Sequence, residues 1–452
     1  MDAPNIVLIT IDSLRGDHTT CLDYERNVDP RLSELCERGT TFQQAVANGP
    51  NTTASFPSIL TGAHSLTYGP YGVCGEGSPF LSRELKQADY QTVGYHSNPH
   101  LGGEQGYPTG FDLFNDAVEG NKSIADIKDG IDHLLSTDTI LYRLLRRAWH
   151  YFSTTTNSSA YARADTISDN AIDWIDQKRT TNNPFFMWLH YMDVHYPFNP
   201  PKTAIEELSF TPLSKRRVVN LNGKMQENPE ELTEEDIEDL LKLYDAEIRY
   251  TDSQIGRVLD TLEESGILEN TIVIITADHG EAFGEHDRFG HHPYPYDELI
   301  KVPLIIAGPG VESTTVNKQV SLLDLSPTVL DLVGAETPDS MEGQSFAPVL
   351  SGDDLDDRTA MTISDNGTVF GCRTAEWKYI TRTDAEESLL FDLTSDPTES
   401  NNLIKNDRDV MEQFEATIAD YQAGIAQSDA TANVEYSPEA RQRLANLGYV
   451  DE

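Results

Sequence analysis

Carboxylate and imidazole side chains recur just after apolar runs in this 452-residue chain. Asp12 follows the run Asn5–Ile11, Asn98 and His100 follow the run near 92–96, and Asp193 and His195 follow 184–190. Asp278, His279 and Glu281 follow 271–276. Asp12, Asp278 and His279 together make a donor set suited to a hard-to-borderline divalent ion. Three protein ligands leave coordination positions open, which marks a catalytic metal rather than a structural one. A lone Asp after a strand carries little information, since Asp routinely caps helices. The string Thr276-Ala-Asp-His-Gly-Glu281 is more specific, and its Gly280 frees the backbone at a tight exit. A candidate nucleophile lies in Gly49-Pro-Asn-Thr-Thr-Ala-Ser-Phe-Pro-Ser-Ile-Leu-Thr-Gly62, which reads as a loop entering a short helix. Free N–H groups and the positive end of a helix suit an anionic ester. A metal-activated hydroxyl there can attack phosphorus or sulfur. The alternative is that Thr52 or Ser55 is only the N-cap.

These groups need a scaffold that brings the run ends together. The runs at 5–11, 92–95, 184–190, 271–276 and 302–307 have the near-continuous apolar character of parallel strands buried on both faces. Helical patterns at 160–177 and 231–264 lie between them, the second opened by Thr233 with Asp236 in a capping-box arrangement. The alternation predicts an α/β fold with a mostly parallel sheet flanked by helices. Chemistry in such sheets collects at the carboxyl ends of the strands. The run at 302–307 is an exception, because it exits into Gly308-Pro-Gly310.

Residues 120–160 read as an insert. Its amphipathic stretch 140–152 is a packed helix with a solvated Arg face, with a substrate lid or partner-docking helix as the alternative. Beyond about 350 the segments 368–373, 377–382 and 389–393 alternate as a small antiparallel sheet. Helices at 407–425 and 438–450 follow, the last capped by Gly448. This predicts a catalytic domain over 1–350 and a C-terminal α+β subdomain over 351–452.

The chain carries 75 acidic and 33 basic side chains, of which only 12 are Lys, for a formal charge of −42. That balance excludes nucleic-acid binding by bulk charge and attraction to an anionic membrane surface. No apolar run approaches the ~20 residues of a spanning helix. Aromatic residues at 9% and many apolar runs allow a core, which argues against disorder. Excess acid with scarce Lys suggests a salt-rich cytoplasm, where screening relieves self-repulsion. Cys21, Cys36, Cys74 and Cys372 form no CxxC pair and are expected as reduced thiols. The N-terminus shows neither a basic n-region nor a signal-like h-region, which predicts a cytoplasmic location.

Ordered blocks along nearly the whole chain resemble the sulfatase family of the alkaline phosphatase superfamily. They are 4–18, 49–62, 94–102 with 110–114, 184–197, 277–286, 296–306 and 390–403. The resemblance implies one divalent ion (Mg, Ca, Mn or Zn) held by Asp12, Asp278 and His279 with Thr52. Counting back nine from Thr61 lands on Thr52, where sulfatases carry the Cys or Ser that becomes formylglycine. Threonine cannot become formylglycine, so none is expected. Ser55 lies in a Ser-x-Pro-Ser string that imitates the modification motif, three residues short of its spacing. Phe56 stands where the motif has Arg, and Ser13 replaces the family's second metal Asp. His291 or His292 takes the place of a substrate-anion Lys, and Asn98 that of another Lys, with His100 keeping its His. Asp193 and His195 lack the Asp-x-x-x-His spacing of two-metal phosphodiesterases, which favours one ion.

The implied course is attack by Thr52 Oγ, with His195 or His100 protonating the leaving alcohol. His291 or His292 supplies N–H donors to the transferred anion, and Asn98 and Ser55 contact substrate. A formylglycine sulfate is shed by elimination, which a Thr sulfate cannot do. A Thr phosphate is hydrolysed by displacement, so a phosphate ester is favoured over a sulfate ester. The expected substrate is a small-molecule, glycan or lipid-head-group ester. A phosphoglycerol- or phosphoethanolamine-type transferase, or a non-catalytic anion binder, are the alternatives. Composition and resemblance together imply a halophilic archaeal source. His64, His133, His150 and His190 read as packing or surface residues, and His18 and His96 as groups that orient neighbours.

Overall fold

The computed structural model describes residues 3–68, 74, 77–117, 161–180 and 183–425. The 120–160 insert, with His133 and His150, and the 438–450 helix lie outside the described residues. Strands β1 (Asn5–Ile11), β2 (Thr40–Val46), β3 (Gln91–His96), β4 (Leu113–Asp116), β5 (Phe185–Tyr191) and β6 (Thr271–Ala277) come first in the large sheet. A two-strand hairpin follows, β7 (Ala282–Phe283) and β8 (Phe289–Gly290). The large sheet then gains β9 (Lys301–Ala307) and β10 (Thr314–Ser321). Its order is β10-β2-β9-β6-β1-β5-β3-β4. Every neighbouring pair is parallel except those of β9, which runs against both β2 and β6.

That topology explains the site-bearing ends. β6, β1, β5 and β3 are consecutive neighbours, so their carboxyl ends open onto one edge. Ile11 pairs with Ala277 on one side and Tyr191 on the other, which sets Asp12 and Asp278 side by side one residue later. β9 points the other way, so its Gly308-Pro-Gly310 exit lies at the opposite edge, while its amino end lies at the catalytic edge. β1, β5 and β6 are buried along their whole length, as both-face coverage requires. Helix Glu234–Glu264 packs on helix Ala164–Gln177. It opens with the expected capping box, in which Asp236 N–H donates to Thr233 Oγ1 and Thr233 N–H to Asp236. No described helix is long and apolar enough to cross a membrane.

A second, antiparallel sheet has the order β11 (Ala360–Ile363), β12 (Val369–Arg373), β13 (Trp377–Arg382), β14 (Ser388–Asp392). Helix Arg408–Ile425 covers it through Phe414 and Ile418. Strands β2, β4, β10 and β11 were not legible in the sequence. β2 and β10 carry polar residues such as Gln43, Gln44, Asn317 and Lys318, which break the apolar run.

The cysteine expectation is corrected. Cys21 and Cys36 form a disulfide across a sequence separation of 15, with Cα atoms 6.4 Å apart. The fold brings the turn Thr20–Leu22 against helix Pro30–Cys36, a tertiary approach that no local spacing announces. Cys74 and Cys372 are free and buried, and burial pushes both thiols up to about 12.

Phe56 is fully buried on helix Thr52–Thr61, with its ring edge-on to Trp188 at 5.4 Å and His190 at 5.0 Å. Phe56→Ala is expected to lose ~3–5 kcal/mol in denaturant unfolding. Phe56→Arg buries an unpaired charge among these rings and should lose at least as much. Wild-type stability of Phe56→Arg would show that the site opens to water.

Candidate active site

Helix Thr52–Thr61 begins at the catalytic edge, and its cap is Asn51. Asn51 Oδ1 accepts from Ala54 N–H at 3.1 Å. Thr52 is therefore the first helical residue, and its hydroxyl is not consumed by capping. Thr52 Oγ1 lies 3.3 Å from His279 Nε2. Ser55, one turn on, is fully buried, and its Oγ has no hydrogen-bond partner.

Asp12, Asp278 and His279 converge with ligand atoms all within 4.8 Å of one another, and all three are fully buried. His279 Nε2 is 3.5 Å from Asp12 Oδ1 and 3.5 Å from Asp278 Oδ2. Its Nδ1 lies 2.8 Å from the Gly280 carbonyl, which fixes that nitrogen as the N–H and leaves the Nε2 lone pair facing both carboxylates. Asp278 Oδ2 has no hydrogen-bond partner although it is buried. Burial, and next the charge of Asp12, hold the Asp278 carboxyl well above its usual range. Burial would raise Asp12 too, but His195, His190 and His279 outweigh it and hold it low. Two buried carboxylates with an orphaned oxygen and an imidazole lone pair are what a divalent ion satisfies, so the residues fit the implied metal.

Neighbours orient this set. Asn98 Nδ2 donates to Asp12 Oδ2 at 2.8 Å and lies 3.5 Å from Thr52 Oγ1. His190 Nε2 is 3.2 Å from the same Asp12 oxygen, so His190 is no mere packing residue. Its signal was available: an imidazole inside a strand otherwise apolar on both faces. Ser13 Oγ donates to Asp12 Oδ1 at 3.2 Å and meets His291 Nε2 at 3.0 Å. Its backbone is left-handed, φ 59°, and Tyr244 holds the turn by donating to Ser13 O at 2.6 Å. Glu281 Oε2 is 3.2 Å from His291 Nε2, a contact that sequence reasoning did not assign. Burial pushes Glu281 up to about 7.

The structure separates the paired histidines. His291 faces the site, its ring 4.5 Å from that of His279 and 4.8 Å from that of His195. His292 turns away, with Nε2 3.8 Å from Glu298 Oε1. His195 and His100 are both buried, and burial lowers them to about 4 and about 3. Both rings are therefore neutral in the free protein. Asp193 does not join His195 in a second metal group. It pairs with Arg163, 2.7 Å from Nε. His18 pairs with Asp245 at 3.1 Å, and His96 stacks on Trp188, at 5.8 Å between ring centres.

The raised Asp278 carboxyl holds a proton that the unfolded chain releases. Stability of the metal-free protein should therefore fall as pH rises from about 3.8 toward the Asp278 value. Asp278→Asn is expected to flatten that fall and to stabilise the metal-free protein at neutral pH, since it removes the buried carboxylate that must otherwise stay protonated. It should also abolish the melting-temperature rise caused by added Mn²⁺. A variant that melts lower and still gains from Mn²⁺ would contradict the assignment.

Residues 4–335 match the family described as Sulfatase, and 284–424 match the family described as N-sulphoglucosamine sulphohydrolase, C-terminal. The chain is 26% identical over 453 residues to an arylsulfatase of Clostridium perfringens, covering 89% of this chain and 91% of that protein. It is 25% identical over 448 residues to arylsulfatase K of Bos taurus, covering 89% and 78%. The phosphonate monoester hydrolase of Agrobacterium radiobacter shares the fold, with a TM-score of 0.68 and 20% identity over 94% of this chain and 96% of that one. With more than two-thirds of its length matched, the chain belongs to the sulfatase family of the alkaline phosphatase superfamily.

Proposed function

We propose that this protein is a metal-dependent ester hydrolase that passes a phosphoryl or sulfuryl group first to Thr52 and then to water. The observation that carries this is the placement of Thr52 Oγ1. It is uncapped, at a helix N-terminus, and 3.3 Å from the His279 Nε2 that also faces Asp12 and Asp278. The names of the relatives, arylsulfatases and a phosphonate monoester hydrolase, support the class of ester.

A divalent ion held by Asp12, Asp278 and His279 would lower the pKa of the Thr52 hydroxyl and neutralise a substrate oxygen. Thr52 Oγ releases its proton to solvent and attacks in line. The bond to the leaving alcohol breaks, and its electron pair stays on the alcohol oxygen. His195 or His100 gives that oxygen a proton. Both are neutral in the free protein, and an anionic substrate raises them toward the protonated form. Asn98, within reach of both Asp12 and Thr52, orients the reacting oxygens. His291, fixed by Ser13 and Glu281, borders the transferred anion. Water then attacks the Thr52 ester, and the hydroxyl is restored with a proton.

Threonine cannot supply the aldehyde hydrate through which formylglycine sulfates are shed. A phosphate mono- or diester therefore suits this site better than a sulfate ester. Among the described residues no Lys or Arg hydrogen-bonds to Asp12, Thr52, Asp278 or His279. The attraction for an anion thus falls to the cation, the helix N-terminus and imidazole N–H groups. The charge of −42 is then a solvation device for a salt-rich setting.

The test is turnover of nitrophenyl phosphate, bis-nitrophenyl phosphate and nitrophenyl sulfate with Mn²⁺, Mg²⁺, Ca²⁺ or Zn²⁺. Activity should require metal, rise between low and molar KCl, and favour a phosphate ester. Thr52→Ala should lower it by about a thousandfold or more, as loss of a nucleophile does. Ser55→Ala should keep most of it. Turnover by Thr52→Ala at the wild-type rate would overturn the reading. Mn²⁺ binding with no turnover of any ester would leave an anion binder instead.

A further inference from the structure

A cluster of buried charge lies between the antiparallel sheet and the catalytic edge. Arg373, Lys378 and Glu399 are 3%, 1% and 3% exposed, and Glu298 is 8% exposed. Arg373 forks onto Asp297, with Nε donating to Oδ1 and Nη2 to Oδ2, each at 2.9 Å. Lys378 Nζ donates to Asp297 Oδ1 and lies 2.7 Å from Glu399 Oε1. Glu399 Oε2 accepts the Asp297 N–H at 2.7 Å. Asp297 is thus gripped by side chain and backbone. It opens the short helix Asp297–Ile300.

That helix touches the metal-ligand turn. Gly280 N–H donates to Leu299 O at 2.8 Å, and a Cβ on Gly280 would overlap the Glu298 carbonyl oxygen. Gly280 O in turn fixes His279 Nδ1. The Glu298 carboxylate lies 3.8 Å from His292 and 3.9 Å from His286, two residues that flank His291 along its loop.

Buried ion pairs are poor glue, because desolvation offsets their attraction. The two sheets are already joined by apolar packing of Tyr294 and Tyr296 on Val369, Ile380 and Phe391. What the charges add is one permitted geometry, since a bidentate fork and an ammonium paired with two carboxylates resist slippage. His286, Glu298 and Glu399 do have the spacing of a cation site. Lys378 already supplies the positive charge to Glu399, so an added ion would meet a buried ammonium.

We infer that this cluster is a positioning clamp, through which Arg373 and Lys378 of the antiparallel sheet set the His279–Gly280 turn and the His291 loop for metal binding. The inference rests on the proposed metal role of Asp12, Asp278 and His279. Lys378, Arg373, Asp297 and Glu399 touch no reacting atom and act through Gly280 and His279.

The test uses the full chain with Lys378→Met, the conservative Lys378→Arg, and Phe414→Ala as a packing control. Phe414 supports the same sheet by stacking on Tyr379 and makes no clamp contact. Amide hydrogen exchange over 279–300 and Mn²⁺ affinity by calorimetry are compared at a temperature where all are folded. Lys378→Met should speed exchange in that segment tenfold or more and weaken Mn²⁺ about tenfold, the usual effect of losing an outer partner. Lys378→Arg should recover most of both. Phe414→Ala should melt lower yet keep both within about twofold. The clamp is overturned if Lys378→Met matches wild type in exchange or in affinity, or if Phe414→Ala matches Lys378→Met. If wild type binds no Mn²⁺, the metal role falls by itself, and the exchange result alone decides the clamp. Should Lys378→Met not fold, the near-isosteric Glu399→Gln gives the same two readouts.

Discussion

Two carboxylates, Asp12 and Asp278, stand side by side and fully buried, and the rest of the active centre depends on how their repulsion is relieved. Without a cation they cannot both be charged at low cost. Asp12 keeps its charge because histidines surround it and Asn98 and Ser13 donate to it, while Asp278 takes the proton. A divalent ion, as proposed, would remove the conflict and turn a destabilising pair into a binding site. Strain of this kind is characteristic of functional centres rather than cores.

The sheet produces this proximity by register. Strands β6, β1 and β5 pair so that Ala277, Ile11 and Tyr191 are level, and the next residues emerge together. The reversed β9 then delivers its amino end, and the loop before it, to the same edge. His291 stands directly after β8, in the loop that leads to β9. The helix bearing Thr52 closes the site from the other side, with Asn51 taking the capping duty that would otherwise occupy a hydroxyl.

Much of this was legible in the sequence, for definite reasons. The apolar runs of β1, β3, β5, β6 and β9 and the Thr233–Asp236 box are local signals, and local physics read them correctly. Asp12, Asp278 and His279 stand out as polar residues just past apolar runs, whereas only the family resemblance separated Thr52 from Ser55, since either could have been the N-cap that the structure gives to Asn51. The reversal of β9 was not, since hydropathy carries no direction, and only its exit into Gly-Pro-Gly hinted at it. Nor was the choice between His291 and His292, which depends on Glu281 and Glu298 approaching from opposite sides. His190 stood out as an imidazole in an otherwise apolar strand, but the sequence does not show that it meets the Asp12 carboxylate. The Cys21–Cys36 bond and the Lys378–Asp297–Glu399 cluster are tertiary and leave no periodic trace.

A crystal structure with Mn²⁺ and vanadate tests the cation site and the hydroxyl at once. An anomalous Mn peak is expected between Asp12, Asp278 and His279, with vanadium bonded to Thr52 Oγ. Manganese bound elsewhere, or vanadium on Ser55 or held without any bond to Thr52, would contradict it.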